Sequence, residues 1–279
     1  TGTGFITSYF YNTLFKNREF CIRVSMCLFE KIVAVLLTLI SITLPASAEN
    51  SSHAMLAWIE PAKNGYNLNF SVRAERIWSK PETILNSSVP IITPAVSSDD
   101  DSVWVVFVET NGSIGRIRVI KKTDEEWQRQ PEIVANTQND WGPSIIIDNK
   151  GTPWLAWAGY DGIDDDIYYT FWNGNAWKTP EKVNTDDDWP DTLPILALNN
   201  QGAPEVRWSG FNGSKYIRYF STWDGNRWSQ EAEAINPFSA PLALQTELPS
   251  FLTDKTHAAL HIRNPSGIQS TRLGGGFLN

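Results

Sequence analysis

Three markers recur along this chain at one spacing. Trp78, Trp127, Trp177 and Trp228 are separated by 49, 50 and 51 residues. Trp58, Phe107, Trp157, Trp208 and Ile262 follow at intervals of 49, 50, 51 and 54, and Pro94, Pro143, Pro194 and Pro249 at 49, 51 and 55. Each Trp of the first series opens a run that ends near an asparagine: Asn86, Asn136, Asn184 or Asn236. A period of this length marks a repeat architecture, in which each unit buries its apolar face only against its neighbours. Positions such as Glu205 and Arg207, set against Trp154 and Ala156, show that the repeat is old.

The content of the period is β. Val103–Phe107, Trp154–Ala158 and Ile167–Trp172 are short and rich in β-branched or aromatic residues. No stretch after residue 48 carries a sustained helical apolar stripe. The clearest repeat, Pro143–Leu193, divides into strands over Ser144–Asp148, Pro153–Gly159, Asp166–Trp172 and Ala176–Val183. Asn173-Gly174 and Asp224-Gly225 are expected to close type I′ hairpins between strands three and four. Asp148–Gly151 and Asn199–Gly202 turn strand one into strand two. Four antiparallel strands per repeat predict an all-β fold, a β-propeller of four-stranded blades. The repeats run about 53–93, 94–142, 143–193, 194–248 and 249–273. They make about five blade-equivalents, the first lacking an initial strand and the last a final one. The ring either closes at five or continues in blades beyond Asn279. Trp78, Trp127, Trp157, Trp177, Trp208 and Trp228 are assigned to packing between blades.

The N-terminal segment differs in kind, for all 13 Trp lie after residue 48. Lys31, the apolar run Ile32–Leu44 and Pro45-Ala46-Ser47-Ala48 have the layout of a secretory signal peptide, cleaved after Ala48. The run is short for a membrane span, which needs about 20 residues, although an uncleaved anchor is the other reading. Met26 is the expected start, and residues 1–25 read as upstream sequence. The expected location is secreted or periplasmic, with no stable membrane span after cleavage. Both cysteines, Cys21 and Cys27, fall outside the mature chain, which excludes a disulfide framework there.

Of 23 basic and 31 acidic residues, four basic and two acidic lie in residues 1–48, so the mature chain holds 19 against 29. Nucleic acid is a poor partner for such a surface. Neutral, cationic or metal-bridged ligands suit it.

In a four-stranded meander the turns from strand two to three share a face with the loops from strand four to the next blade. That face collects Tyr160, Asp161, Asp164 and Asp166 from one loop, and Asp186, Asp187, Asp188, Trp189 and Asp191 from another. Asn139, Asp140 and Trp141 join them. Loops on a rigid scaffold commonly carry function. The candidate ligand-binding set is Trp141, Tyr160, Asp161, Asp164, Asp166, Asp187, Trp189 and Asp191. Exposed Trp stacks on sugar rings while carboxylates accept their hydroxyls, so a glycan or extracellular protein ligand is expected. Asp161, Asp164 and Asp166 also offer oxygen ligands to Ca2+, without a full EF-hand pattern; no other metal or cofactor is expected. The other readings are a solvated acidic turn for the aspartates and a plug between blades for Trp141 and Trp189. Glycoside hydrolysis needs two placed carboxylates, and no catalytic pair stands out among so many acids. His53, His257 and His261 form no metal spacing.

Asp148-Asn149-Lys150-Gly151-Thr152-Pro153-Trp154 with the following Leu-Ala-Trp resembles repeats of the sialidase-like (BNR-type) propeller superfamily, over about residues 53–273. The resemblance implies a propeller and contact with glycans. The chain departs from the family's Asp-box: the Asp-to-Gly gap is one residue longer, and the motif lies between strands one and two. An FRIP-like segment is absent, and Arg116, Arg118, Arg207, Arg218 and Arg263 occupy non-equivalent repeat positions, so no sialidase arginine triad carries over. The expectation is a non-catalytic binding module, with a divergent glycosidase or a protein-binding scaffold as alternatives.

Overall fold

The computed structural model describes residues 53–74, 77–124, 126–234, 249, 252, 257–264 and 267–273. The expected signal peptide and the segment before it lie outside these residues. The described strands all belong to one compact unit, Ser51–Asn279.

Every described element is a β-strand. The second repeat gives β5 (Ile91–Ser98), β6 (Val103–Thr110), β7 (Gly115–Thr123) and β8 (Glu126–Arg129). The third gives β9 (Asn139–Ile147), β10 (Pro153–Tyr160), β11 (Asp165–Phe171) and β12 (Glu181–Lys182). The fourth gives β13 (Asp191–Leu198), β14 (Pro204–Phe211), β15 (Tyr216–Thr222) and β16 (Ala232–Glu233). Each is a four-stranded antiparallel meander in chain order. The first strands adjoin, β5 beside β9 and β9 beside β13, so the sheets radiate as blades of a β-propeller.

The chain's two ends share a sheet. The first repeat supplies β1 (His53–Ala62), β2 (Gly65–Ala74), β3 (Ile77–Trp78) and β4 (Glu82–Ser87), with β3 and β4 both paired to β2. The last supplies β17 (His257–Asn264) and β18 (Gly267–Leu273). β17 pairs along β1 from His53↔Arg263 to Ile59↔His257, taking the inner place that the first repeat leaves open. β17 also adjoins β5, and β18 adjoins β5 and β13. Five blade-equivalents are thus distributed over four sheets. The inner strands make a closed circuit, which removes the open edge that an unpaired β1 would present.

Two details depart from the sequence reading. The third repeat's fourth strand, expected over Ala176–Val183, contracts to β12 and a separate bridge between Trp172 and Trp177. The Asn-Gly and Asp-Gly hairpins are not type I′, because only Gly174 (φ 99°) and Gly225 (φ 105°) are left-handed. They are four-residue loops held by a side chain. Asn173 Oδ1 accepts the N–H groups of Asn175 and Ala176, and Asp224 Oδ1 those of Asn226 and Arg227.

Packing explains why β6 and β10 lack polar alternation. Along β10, Leu155 and Trp157 join a core with Val106, Val108, Ile117 and Ile145 of the second and third blades. Trp154, Ala156 and Ala158 turn the other way, toward Leu196, Val206 and Trp208. Successive side chains point to opposite faces of a strand. Both faces of an inner blade are covered, so both sets are apolar. The fourth-strand Trp series packs onto the preceding blade as expected. Trp127 meets Phe70 at 5.1 Å, Trp177 meets Trp104 at 5.7 Å and Trp228 meets Tyr169 at 5.3 Å.

Candidate loop-face site

The β10–β11 turn, Tyr160 to Asp164, lies beside the loop that enters the third blade. Gln138 N–H donates to the Tyr160 carbonyl at 2.6 Å. The turn is shaped by Asp161, whose Oδ1 accepts the Ile163 N–H at 2.9 Å. Asn111 and Asn212 do the same work in the neighbouring blades. Only the third blade places a carboxylate there, and its second oxygen, Oδ2, lies 3.0 Å from Lys182 Nζ. Lys182 also meets Asp166 Oδ2 at 2.6 Å and makes a short contact with Asp186. One ammonium therefore gathers three carboxylates from two loops and a strand. Lys182 was not among the residues singled out from the sequence. Its signal is a charge reversal: the positions five residues after Trp127 and Trp228 are Glu132 and Glu233.

Asp166 and Asp191 are buried and bridged by one amide. Asn184 Nδ2 donates to Asp166 Oδ1 at 2.9 Å and to Asp191 Oδ2 at 2.7 Å, while its Oδ1 accepts the Ile167 N–H at 2.9 Å. Asp191 Oδ1 accepts the Trp208 indole at 2.9 Å. Burial pushes the Asp191 carboxyl up to about 8; the Trp208 hydrogen bond opposes this, and the charges of Glu231, Asp187 and Asp166 reinforce it. Burial raises Asp166 as well, against hydrogen bonds from Lys182 and Asn184. Asp164 is also buried, and neither carboxylate oxygen has a hydrogen-bond partner.

Much of the aspartate-beside-tryptophan pattern is internal bonding. Trp157 donates to Asp140 at 2.9 Å, Trp154 to Asp148 at 3.0 Å and Trp141 to Asp165 at 3.0 Å. A buried indole N–H needs an acceptor, and in these three pairs a carboxylate supplies it. Asp148, in the motif that resembles an Asp-box, also accepts the Lys150 and Thr152 N–H groups at 2.9 Å each and so closes its own turn.

The predicted set therefore divides. Asp164, Asp166 and Asp191 are buried. Trp141 is half-buried and tied to Asp165. Tyr160 and Asp161 are half-buried at the turn, and Asp187 and Trp189 are exposed. Asp187 Oδ1 accepts the Trp189 N–H at 2.8 Å and fixes that loop. Trp189, 45% exposed, meets Phe211 edge-on at 5.3 Å, and Phe211 meets Tyr216, 59% exposed, at 5.2 Å. Gly213, at φ 84°, lies under the Trp189 ring, where a Cβ would come within 3.1 Å of it. Trp189, Phe211 and Tyr216 make an aromatic shelf on the loop face of the fourth blade. Phe211 and Tyr216 were not singled out from the sequence; both flank the Asn212-Gly213 turn, on the same side of the blade as Trp189.

No protein-family model matches the chain, and no curated protein sequence does. Solved structures do resemble it. A Dyadobacter fermentans protein of unknown function aligns at 12% identity over 81% of this chain and 76% of that one, with TM-score 0.55. A Penicillium chrysogenum alpha-L-arabinanase complexed with arabinobiose aligns at 11% over 78% and 80%, with TM-score 0.47. The fucose-specific lectin of Aleuria aurantia aligns at 15% over 78% and 69%, with TM-score 0.46. At such identities the likeness speaks to fold alone.

Proposed function

We propose that the chain is an exported, non-catalytic binding module that takes a glycan on the loop face of its fourth blade. The observation that carries this reading is the exposed Trp189–Phe211–Tyr216 shelf, flanked by the exposed carboxylate of Asp187. Aromatic faces stack on the apolar side of a pyranose, and carboxylates and phenols accept or donate to its hydroxyls. The shelf rests on strand ends and a glycine turn, so little ordering is needed on binding. The other aspartates of the face act indirectly. They hold Trp208, Asn184 and Lys182, and so fix the loops that carry the shelf.

Export follows from the Lys31–Ala48 layout. Recovery of a processed chain beginning at Glu49 outside the cytoplasm supports it; a retained, unprocessed chain overturns it.

Binding is tested on a glycan array with the wild type and Trp189→Ala. Defined glycan hits that Trp189→Ala loses, with an unchanged thermal transition, support the reading. An array without hits overturns it, and so does turnover of chromogenic glycosides by the purified protein.

A further inference from the structure

Beyond glycan contact, the geometry points to a Ca2+ site formed by the carboxylates of Asp161, Asp166 and Asp186, with the buried carboxylate of Asp164 near them, in which the Lys182 ammonium sits when no divalent cation is bound. Oxygens of Asp161, Asp166 and Asp186 all lie within 4.8 Å of one another. Ca2+ takes oxygen ligands at about 2.3–2.6 Å, so ligands on opposite sides of one ion fall at about that separation. The Lys182 contacts to all three show that a positive charge fits among them.

Lys182 alone leaves the cluster unbalanced. Asp164 is 7% exposed, and both of its oxygens are buried without a hydrogen-bond partner. It lies in the same turn as Asp161, and the charges that act on it most strongly are those of Asp166, Asp161 and Asp187, so a cation at the cluster would act on it from nearby. A buried ionised carboxylate without a partner is costly, and a divalent ion in the neighbouring cluster supplies positive charge that the Lys182 ammonium alone does not. The repeat isolates the feature to one blade. Asn111 and Asn212 shape the equivalent turns without a charge, so turn geometry does not call for the Asp161 carboxylate. Ca2+ suits the set better than Mg2+, which demands a near-ideal octahedron and sheds its water reluctantly.

Thermal unfolding of the full folded unit tests the site without any glycan, so its outcome is independent of the shelf. CaCl2 at about 5 mM exceeds the roughly 10⁻⁴–10⁻³ M dissociation constants of extracellular modules. It is expected to raise Tm, EDTA to reverse the shift, and Mg2+ to give a smaller one. Lys182→Met removes the competing ammonium and should enlarge the Ca2+ shift. Asp164→Asn should weaken Ca2+ binding about tenfold or more, while its Tm in EDTA equals or exceeds that of the wild type. The site is overturned if Ca2+ moves neither the wild type nor Lys182→Met, or if Asp164→Asn keeps the full shift. Should Lys182→Met not fold, the Asp164→Asn comparison decides alone.

Discussion

The indole N–H of Trp208 donates to the buried carboxylate of Asp191 at 2.9 Å, and the indole of Trp157 does the same to Asp140 one blade earlier, also at 2.9 Å. The two pairs are each 17 residues apart in sequence, so an acid is part of the repeat alongside its Trp. The carboxylate stands at the start of the first strand and reaches the Trp of the second. This bond ties the entry of each blade to its second strand, and it gives the fold a dependence on pH.

Asp191 is raised from an ordinary value of 3.8 to about 8, chiefly by burial. In the window between them the folded chain holds a proton that the unfolded chain releases. The associated stability is complete below about pH 4 and is lost as pH rises through 8. Tm is therefore expected to fall between pH 5 and 8, with a slope of up to about 1.4 kcal/mol per pH unit from this group. Asp191→Asn should flatten the profile. Burial raises Asp140 too, so a smaller slope of the same sign remains. Calorimetric scans across pH check this, and an identical slope in Asp191→Asn rejects the assignment.

The repeating prolines Pro94, Pro143 and Pro194 mark a bulge in the first strands β5, β9 and β13. The residues before them, Thr93 (φ 46°), Gly142 (φ 62°) and Leu193 (φ 55°), are all left-handed. Pairing slips at the same places, between Ile92 and Ala95, Trp141 and Ser144, and Thr192 and Ile195. The third blade already uses glycine. A left-handed non-glycine residue costs about 1–2 kcal/mol, while glycine's extra chain entropy costs about 0.5–1 kcal/mol. Leu193 is 43% exposed and loses little burial on truncation. Leu193→Gly is expected to raise stability by about 0.5–1 kcal/mol, read as an increase in denaturation midpoint at constant m.

The scaffold was legible in the sequence because its markers are packing residues repeated at one spacing. Trp157, Trp177, Trp208 and Trp228 report where blades touch, and the touching is the same in each blade. Joining β17 to β1 was not legible. Pairing of the two ends depends on ring closure, which no local pattern encodes, and Ile262 kept the phase of a second strand while β17 took the place of a first. The site was half legible. Asp161, Asp187 and Trp189 were singled out by composition, but composition does not separate a carboxylate that faces solvent from one that accepts an indole N–H. Asp166 and Asp191 look like Asp187 in the sequence, and burial alone tells them apart. Lys182 was missed because a lone lysine between acids reads as a solvated charge.

Trp157 and Trp189 separate scaffold from shelf. Trp157 is fully buried between the second and third blades and holds Asp140. Trp157→Ala should cost about 3–5 kcal/mol for the cavity, with more for the carboxylate left unpaired. Trp189→Ala should cost under about 1 kcal/mol, in keeping with an exposed position. Urea titrations of the two variants check the contrast, and equal losses reject the division.

Within the shelf the expected order of effects follows exposure. Trp189 offers the largest ring, 45% exposed, and Tyr216 is 59% exposed at the far end. Phe211 lies between them, edge-on to Trp189 and tilted against Tyr216. An aromatic anchor of a binding surface commonly contributes about 2 kcal/mol or more, which is roughly a 30-fold change in affinity. Trp189→Ala should therefore weaken a glycan identified on the array by about that factor. Tyr216→Ala should weaken it as well, while Tyr216→Phe keeps the stacking surface and loses only the hydroxyl's share. Phe211→Ala removes the support on which Trp189 rests and should lower affinity through a faster off-rate. Isothermal titration and surface plasmon resonance with the four variants read these effects. A Tyr216→Phe loss as large as that of Tyr216→Ala would show that the phenol's hydrogen bond, not stacking, sets the affinity.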